Sequence, residues 1–248
     1  MDVINRLTAA QDAAEAGRYA EALNEYIWFH HHALEEDRML CVVRTSYALT
    51  HWMALAGKYP PARKALQEIR NEKSQRLAAG IPVAIAATEA AVVEAMVADH
   101  KVLFDDVAAI NEFLGNEEAT YDLFCTIVAR DRDFAAQCER RARPALIKAN
   151  DFKLARSLID SFDKEAGILA LMLNRGIERL RRNFEDEMQG EVFDSEMQYF
   201  VDTVHALLRI FVGANPDEDA DALCDCAVAQ IEDKNLRESM RKKLSPPS

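Results

Sequence analysis

Gly17-Arg18-Tyr19-Ala20-Glu21-Ala22-Leu23 is the stretch from which the fold can be read. A glycine able to end a helix is followed two residues later by an aromatic and three further by an alanine. The same order returns at Gly57-Lys58-Tyr59-Pro60-Pro61-Ala62 and, more loosely, at Asn150-Asp151-Phe152-Lys153-Leu154-Ala155. Glycine and asparagine tolerate the positive φ that closes a helix, the aromatic can plug the bend, and the alanine lets the next helix approach closely. These stretches read as tight corners of helical hairpins.

Composition agrees with that reading. The chain has 248 residues, only eight glycines and seven prolines, and a preponderance of Ala, Leu, Glu, Arg and Lys. It lacks the β-branched and aromatic runs with regular turns that a sheet protein needs, so the expected class is all-α. A chain this long buries enough core to need no disulfide or metal staple. Its five cysteines are scattered and odd in number, which fits a reducing compartment, with Cys41, Cys125 and Cys138 as small core residues. No basic leader precedes an apolar run at Met1 to Arg6, and no stretch approaches the ~20 apolar residues of a membrane span, so the expectation is a cytoplasmic protein with no membrane partner. A formal charge of -12 argues against general binding to a phosphate backbone, and no nucleic acid is expected.

Along the chain, Val3, Ile4, Leu7, Ala10 and Ala14 recur at helical spacing after a capping Asp2, and a second helix from Ala20 to about Leu34 carries Ala22, Tyr26, Phe29 and Ala33 on one stripe. A third helix is expected from about Leu40 to Ala56, and Pro60 and Pro61 suit the first turn of a fourth. After a boundary at Ala78 to Pro82 come an alanine- and valine-rich helix, Val83 to about Val97, and another from Val102 to Leu114 closed by Gly115-Asn116. Pro144 should break or kink the next long helix at Arg143. The expected organisation is residues 1–77 as N-terminal hairpins, 78–183 as a continuing array with a repeat-like corner at 150, 184–196 as an acidic linker, 197–242 as capping helices and 243–248 as a tail.

Ala22-x3-Tyr26, Ala62-x3-Leu66 and Ala155-x3-Ile159 follow their corners at a spacing that resembles the tetratricopeptide repeat, over residues 3–77 and 136–162. The resemblance implies antiparallel hairpins stacked in a right-handed superhelix of about 10–12 helices, whose first helices line a concave groove. Carrying the repeat register back from Gly57 places Arg44, Tyr47 and His51 in that groove, and the same step from Asn150 places Gln137, Arg140 and Lys148 there. Several are cationic, which implies a locally positive groove suited to an acidic peptide or a terminal carboxylate.

Other local features suggest chemistry less clearly. His30-His31-His32 offers three imidazoles, but consecutive helical residues fan out by about 100°, so one histidine against a neighbouring helix and two in solvent is the expected arrangement. Cys224-x-Cys226 lacks the spacing of common zinc sites. Asn215-x-Asp217-x-Asp219-x-Asp221 starts like a calcium loop, but has Ala220 where the turn needs glycine, and reads better as charge at a helix N-terminus. No nucleophile elbow, phosphate-cradling loop, zinc-protease or dinucleotide motif occurs. The leading expectation is a non-catalytic scaffold, without a cofactor, that holds another protein or peptide in a helical groove. The alternatives are an acidic inhibitor or immunity-type protein for a basic target, and a metal-dependent enzyme using the His30 to His32 region.

Overall fold

The computed structural model describes residues 3–80, 90–183 and 186–244, and among these every regular element is helical. The chain forms two compact units, Met1–Ala142 and Arg143–Ser248.

The first unit begins with α1 (Val3–Glu15) and α2 (Tyr19–Glu36), joined at Gly17 with φ 77°. Arg18 N–H donates to Ala13 O at 2.8 Å and Gly17 N–H to Ala14 O at 3.2 Å, the paired bonds by which a left-handed residue closes a helix. The same pair recurs at Gly115, with φ 71°, and at Asn150, with φ 56°. Gly57 differs, since it lies inside α4 (Tyr47–Lys58) with no positive φ. There the turn is made by Tyr59 in extended backbone, as a residue before proline prefers, and α5 (Pro60–Ala79) starts at once. Tyr19 and Tyr59 meet with ring centroids 6.1 Å apart, and Ala22 and Ala62 are fully buried, as the corner pattern requires.

The expected third helix is broken. A 3₁₀ turn (Arg38–Leu40) and a single-turn α3 (Cys41–Thr45) precede α4, with the break at Ser46 (φ -127°, ψ -82°). Thr45 and Ser46 bond their hydroxyls back to Cys41 O and Val42 O, a competition with the backbone that disfavours helix. The two helices expected around residues 83–114 are one, α6 (Ala90–Leu114), although residues 81–89, including the expected boundary at Pro82, lie outside those described. Ala109 and Ile110 of α6 share one core cluster with Leu7, Phe29, Trp52 and Leu66 of the hairpins. α7 (Glu117–Arg130) and α8 (Arg132–Lys148) follow. α8 carries Pro144 without interruption, and the units divide just before it. Cys138 is buried and Cys125 half-buried, but Cys41, at the start of the short α3, is exposed rather than in the core.

The second unit contains α9 (Phe152–Leu158), α10 (Phe162–Asn183), α11 (Asp186–Ala214), α12 (Ala220–Ala229) and α13 (Lys234–Leu244). The segment expected as an acidic linker is helical from Asp186, being rich in good helix formers. It packs on α10, where a Cβ on Gly176 would stand 3.1 Å from the Glu196 carboxylate. α12 packs on α10 and α11, and α13 on α11 and α12. The last helix extends into the expected tail as far as Leu244, which is buried, and residues 245–248 lie outside those described. Asp151 caps α9 through Leu154 N–H and Asp219 caps α12 through the N–H groups of Asp221 and Ala222. No helix of the described residues is long and apolar enough to cross a membrane.

Gly17 and Gly57 should respond oppositely to the same change. Gly17→Ala forces an L side chain into the left-handed region and should cost about 1–2 kcal/mol. Gly57→Ala, in a helix with open space around its missing Cβ, should stabilise by about 0.5–1 kcal/mol. Urea unfolding midpoints of the two variants test this.

Candidate functional site

Two constellations in the first unit hold groups capable of chemistry or recognition, one buried and one open. The buried one joins four helices. Asp106 of α6, wholly buried, accepts from Arg44 Nη2 of α3 at 2.7 Å and from Lys73 Nζ of α5. Lys73 Nζ also donates to His30 Nε2 of α2 at 3.0 Å, and Arg44 Nη1 donates to His30 O at 3.1 Å. Accepting a hydrogen bond from the Lys73 ammonium at Nε2 makes His30 the neutral tautomer with its own proton on Nδ1. Burial, then the charges of Lys73 and Arg44, hold its pKa well below the usual histidine value. Burial likewise lowers Lys73, against the pull of Asp106.

This corrects the sequence register at one residue. Arg44 was expected in the groove three positions before Tyr47, but the break at Ser46 removes it from the face of α4 and turns it inward, where it is 5% exposed. The histidine run follows its expectation: His30 is buried against the neighbouring helices, His31 is exposed, and the half-exposed His32 meets Glu35 at 2.8 Å. Among the described residues, no three His, Cys, Asp or Glu side chains are grouped as a metal site requires. Cys224 is buried, and Cys226 donates to Asp163 at 2.9 Å; burial first, then Asp163, pushes the Cys226 thiol up to about 11.

The open constellation is a groove of about 180 Å³. Gln11, Ala14 and Glu15 of α1 and His51, Ala54 and Lys58 of α4 line it, with the buried Tyr26 and Leu55 beneath. Tyr47 is 51% exposed and meets the His51 ring edge-on at 4.5 Å between centroids. Burial, with smaller contributions from Tyr47 and Glu15, pushes the Tyr26 phenol up to about 12, so it stays a neutral hydroxyl. Tyr26 stacks on Trp52 at 5.7 Å, and His30 meets Trp52 edge-to-face at 6.2 Å, so aromatic contacts link groove and ion cluster.

Of the residues expected in the groove, the structure brings together Tyr47 and His51. Gln137, Arg140 and Lys148 are exposed on α8, and neither Arg140 nor Lys148 is a free cation. The adjacent Arg141 pairs with Glu112 at 3.2 Å. Sequence reasoning missed Lys73 and Asp106, although each leaves a signal: Lys73 falls on the apolar stripe Leu66, Ile69 and Leu77, and Asp106 between Phe104 and Val107. It also missed Glu15 and Lys58, for which an ordinary charged helix end gives no signal.

Compared with protein-family models, with curated proteins and with solved structures, the chain matches none.

Removing the shared carboxylate should be severe, since Asp106→Asn leaves two buried cations with no counter-charge; a loss of about 3–5 kcal/mol is expected in urea unfolding. The depressed pKa of His30 has its own signature. The unfolded chain takes up a proton near pH ~6.5 where the folded one does not, so the stabilisation from a neutral His30 is intact above that pH and is lost as pH falls below it. The slope approaches ~1.4 kcal/mol per pH unit for this one group. His31, also lowered, first by partial burial and then by Lys73, adds to it. His30→Asn should therefore flatten the fall in stability from pH 6.5 downward, measured as the urea midpoint against pH.

Proposed function

We propose that the chain is a non-catalytic, tetratricopeptide-like interaction module that holds a segment of another protein in the groove between α1 and α4. The observation that carries this is the groove itself. It is walled by two helices that each open a hairpin, floored by Tyr26 and Leu55, and flanked by the half-exposed Tyr47. Small side chains, Ala14 and Ala54, leave room for an incoming side chain, and an exposed tyrosine offers large contact area at little cost in rotamer entropy. The corner pattern supports the same reading, because α1 and α4 each open a hairpin, closed at Gly17 and Tyr59, and the two helices touch.

The groove differs from the positive one that the repeat register implied. With Arg44 committed to Asp106, Lys58 is the one lysine or arginine in the lining, against one carboxylate, Glu15. Shape and aromatic contact, rather than a field of arginines, are what it offers a partner.

Ala54 is exposed, so Ala54→Trp fills the groove from the surface without touching the core. A protein captured by the native chain should be lost at least tenfold with Ala54→Trp and reduced severalfold with Tyr47→Ala, while both variants keep the native circular dichroism and melting temperature. A captured protein held equally by all three removes the groove from the interaction.

A further inference from the structure

Taking the groove as the binding site, we infer that its occupant is a cationic segment of another protein, an arginine or lysine set beside an apolar anchor, with the cation received by Glu15 and by the exposed Tyr47 at the groove edge.

Charge accounting is the first support. The chain carries 42 acidic against 30 basic side chains. In the first unit the basic ones are largely committed within the chain: Arg6 holds Glu25, Arg18 holds Glu21, Arg38 holds Asp99, Arg44 and Lys73 share Asp106, and Arg141 holds Glu112. Pairing removes acid and base together, so what remains toward solvent is the surplus carboxylate. A chain with that surplus attracts basic partners and repels acidic ones over a Debye length, about 8–10 Å at ordinary salt.

Local chemistry is the second. The Glu15 carboxylate lines the groove and the exposed Tyr47 stands at its edge against His51, both close enough to the buried Tyr26 to act on it electrostatically. An aromatic face beside a carboxylate is what a guanidinium or ammonium prefers, through ion pairing and cation–π attraction together. The protein already makes this contact on itself, where Arg6 lies 4.1 Å over the Trp28 ring while pairing with Glu25. Ala14, Ala54 and Leu55 leave an apolar strip for the anchor. Lys58 at the end of α4 opposes the cation, which makes the two groove charges a directional probe.

The test is a selection of random twelve-residue peptides, displayed on phage, against the full chain in parallel with Ala54→Trp, followed by fluorescence anisotropy of the enriched peptides. Peptides that need an open groove should be rich in arginine and lysine. Glu15→Gln should weaken them about three- to tenfold, Lys58→Gln should leave or raise their affinity, and Glu68→Gln, remote in sequence and paired with Lys64, should do nothing. If the groove-dependent peptides are acidic or neutral, or if Glu15→Gln and Glu68→Gln act alike, the cationic occupant is wrong while the groove reading stands. If no peptide distinguishes the native chain from Ala54→Trp, the groove is not a binding site and both fall.

Discussion

The Asp106 carboxylate is the constraint on which the first unit depends. It is wholly buried near the middle of α6 and is the shared acceptor of Arg44 and Lys73, which come from two other helices, while a fourth supplies His30. Such a cluster contributes little net stability, because desolvating the charges offsets most of their attraction, and Arg44 Nε and Asp106 Oδ1 lack a hydrogen-bond partner among the described residues. Its effect is on alternatives. Any packing of these helices that slides one of them strands a charge in an apolar interior, an error of several kcal/mol, whereas apolar contacts alone tolerate such slides cheaply.

The groove depends on the same arrangement through Trp52. That indole donates to Ala62 O at 3.0 Å, stacks on Tyr26 and receives the edge of His30, so it fixes α4 against α5 and α2 together. The break at Ser46 belongs to the same design. An unbroken helix would carry Arg44 on the face of Tyr47 and His51; the break frees it to reach Asp106 while α4 keeps its aromatic edge. One interruption of a helix thereby settles which residues serve the interior and which the surface.

Helical periodicity and corner chemistry made the all-α class and most element positions legible, and Gly17, Gly115 and Asn150 adopt the backbone that their residue types allow. The pattern overreached at Gly57, where Tyr59 before Pro60, not glycine, makes the turn. It differs at 186–196, where acidity suggests a solvated linker but glutamate, methionine and glutamine are also good helix formers and a long helix can dock on one face. Of the groove, Tyr47 and His51 were legible, since both lie in the uninterrupted α4. Arg44 was not, because a single-residue break depends on hydroxyls competing for carbonyls. Asp106 was hidden by distance along the chain: its partners Arg44 and Lys73 lie 62 and 33 residues away.

That separation has a consequence for the order in which the protein is made. The hairpins through Ala79 leave the ribosome before Asp106 does, and they carry Arg44 and Lys73 at positions destined for the interior. Until α6 arrives, those two cations keep the inner face of α3 and α5 wet, and the early hairpins stay loose rather than locking into a premature core. Asp106 is what lets the two cations enter a closed interior, so a chain cut after the second hairpin keeps both cations and loses their counter-charge.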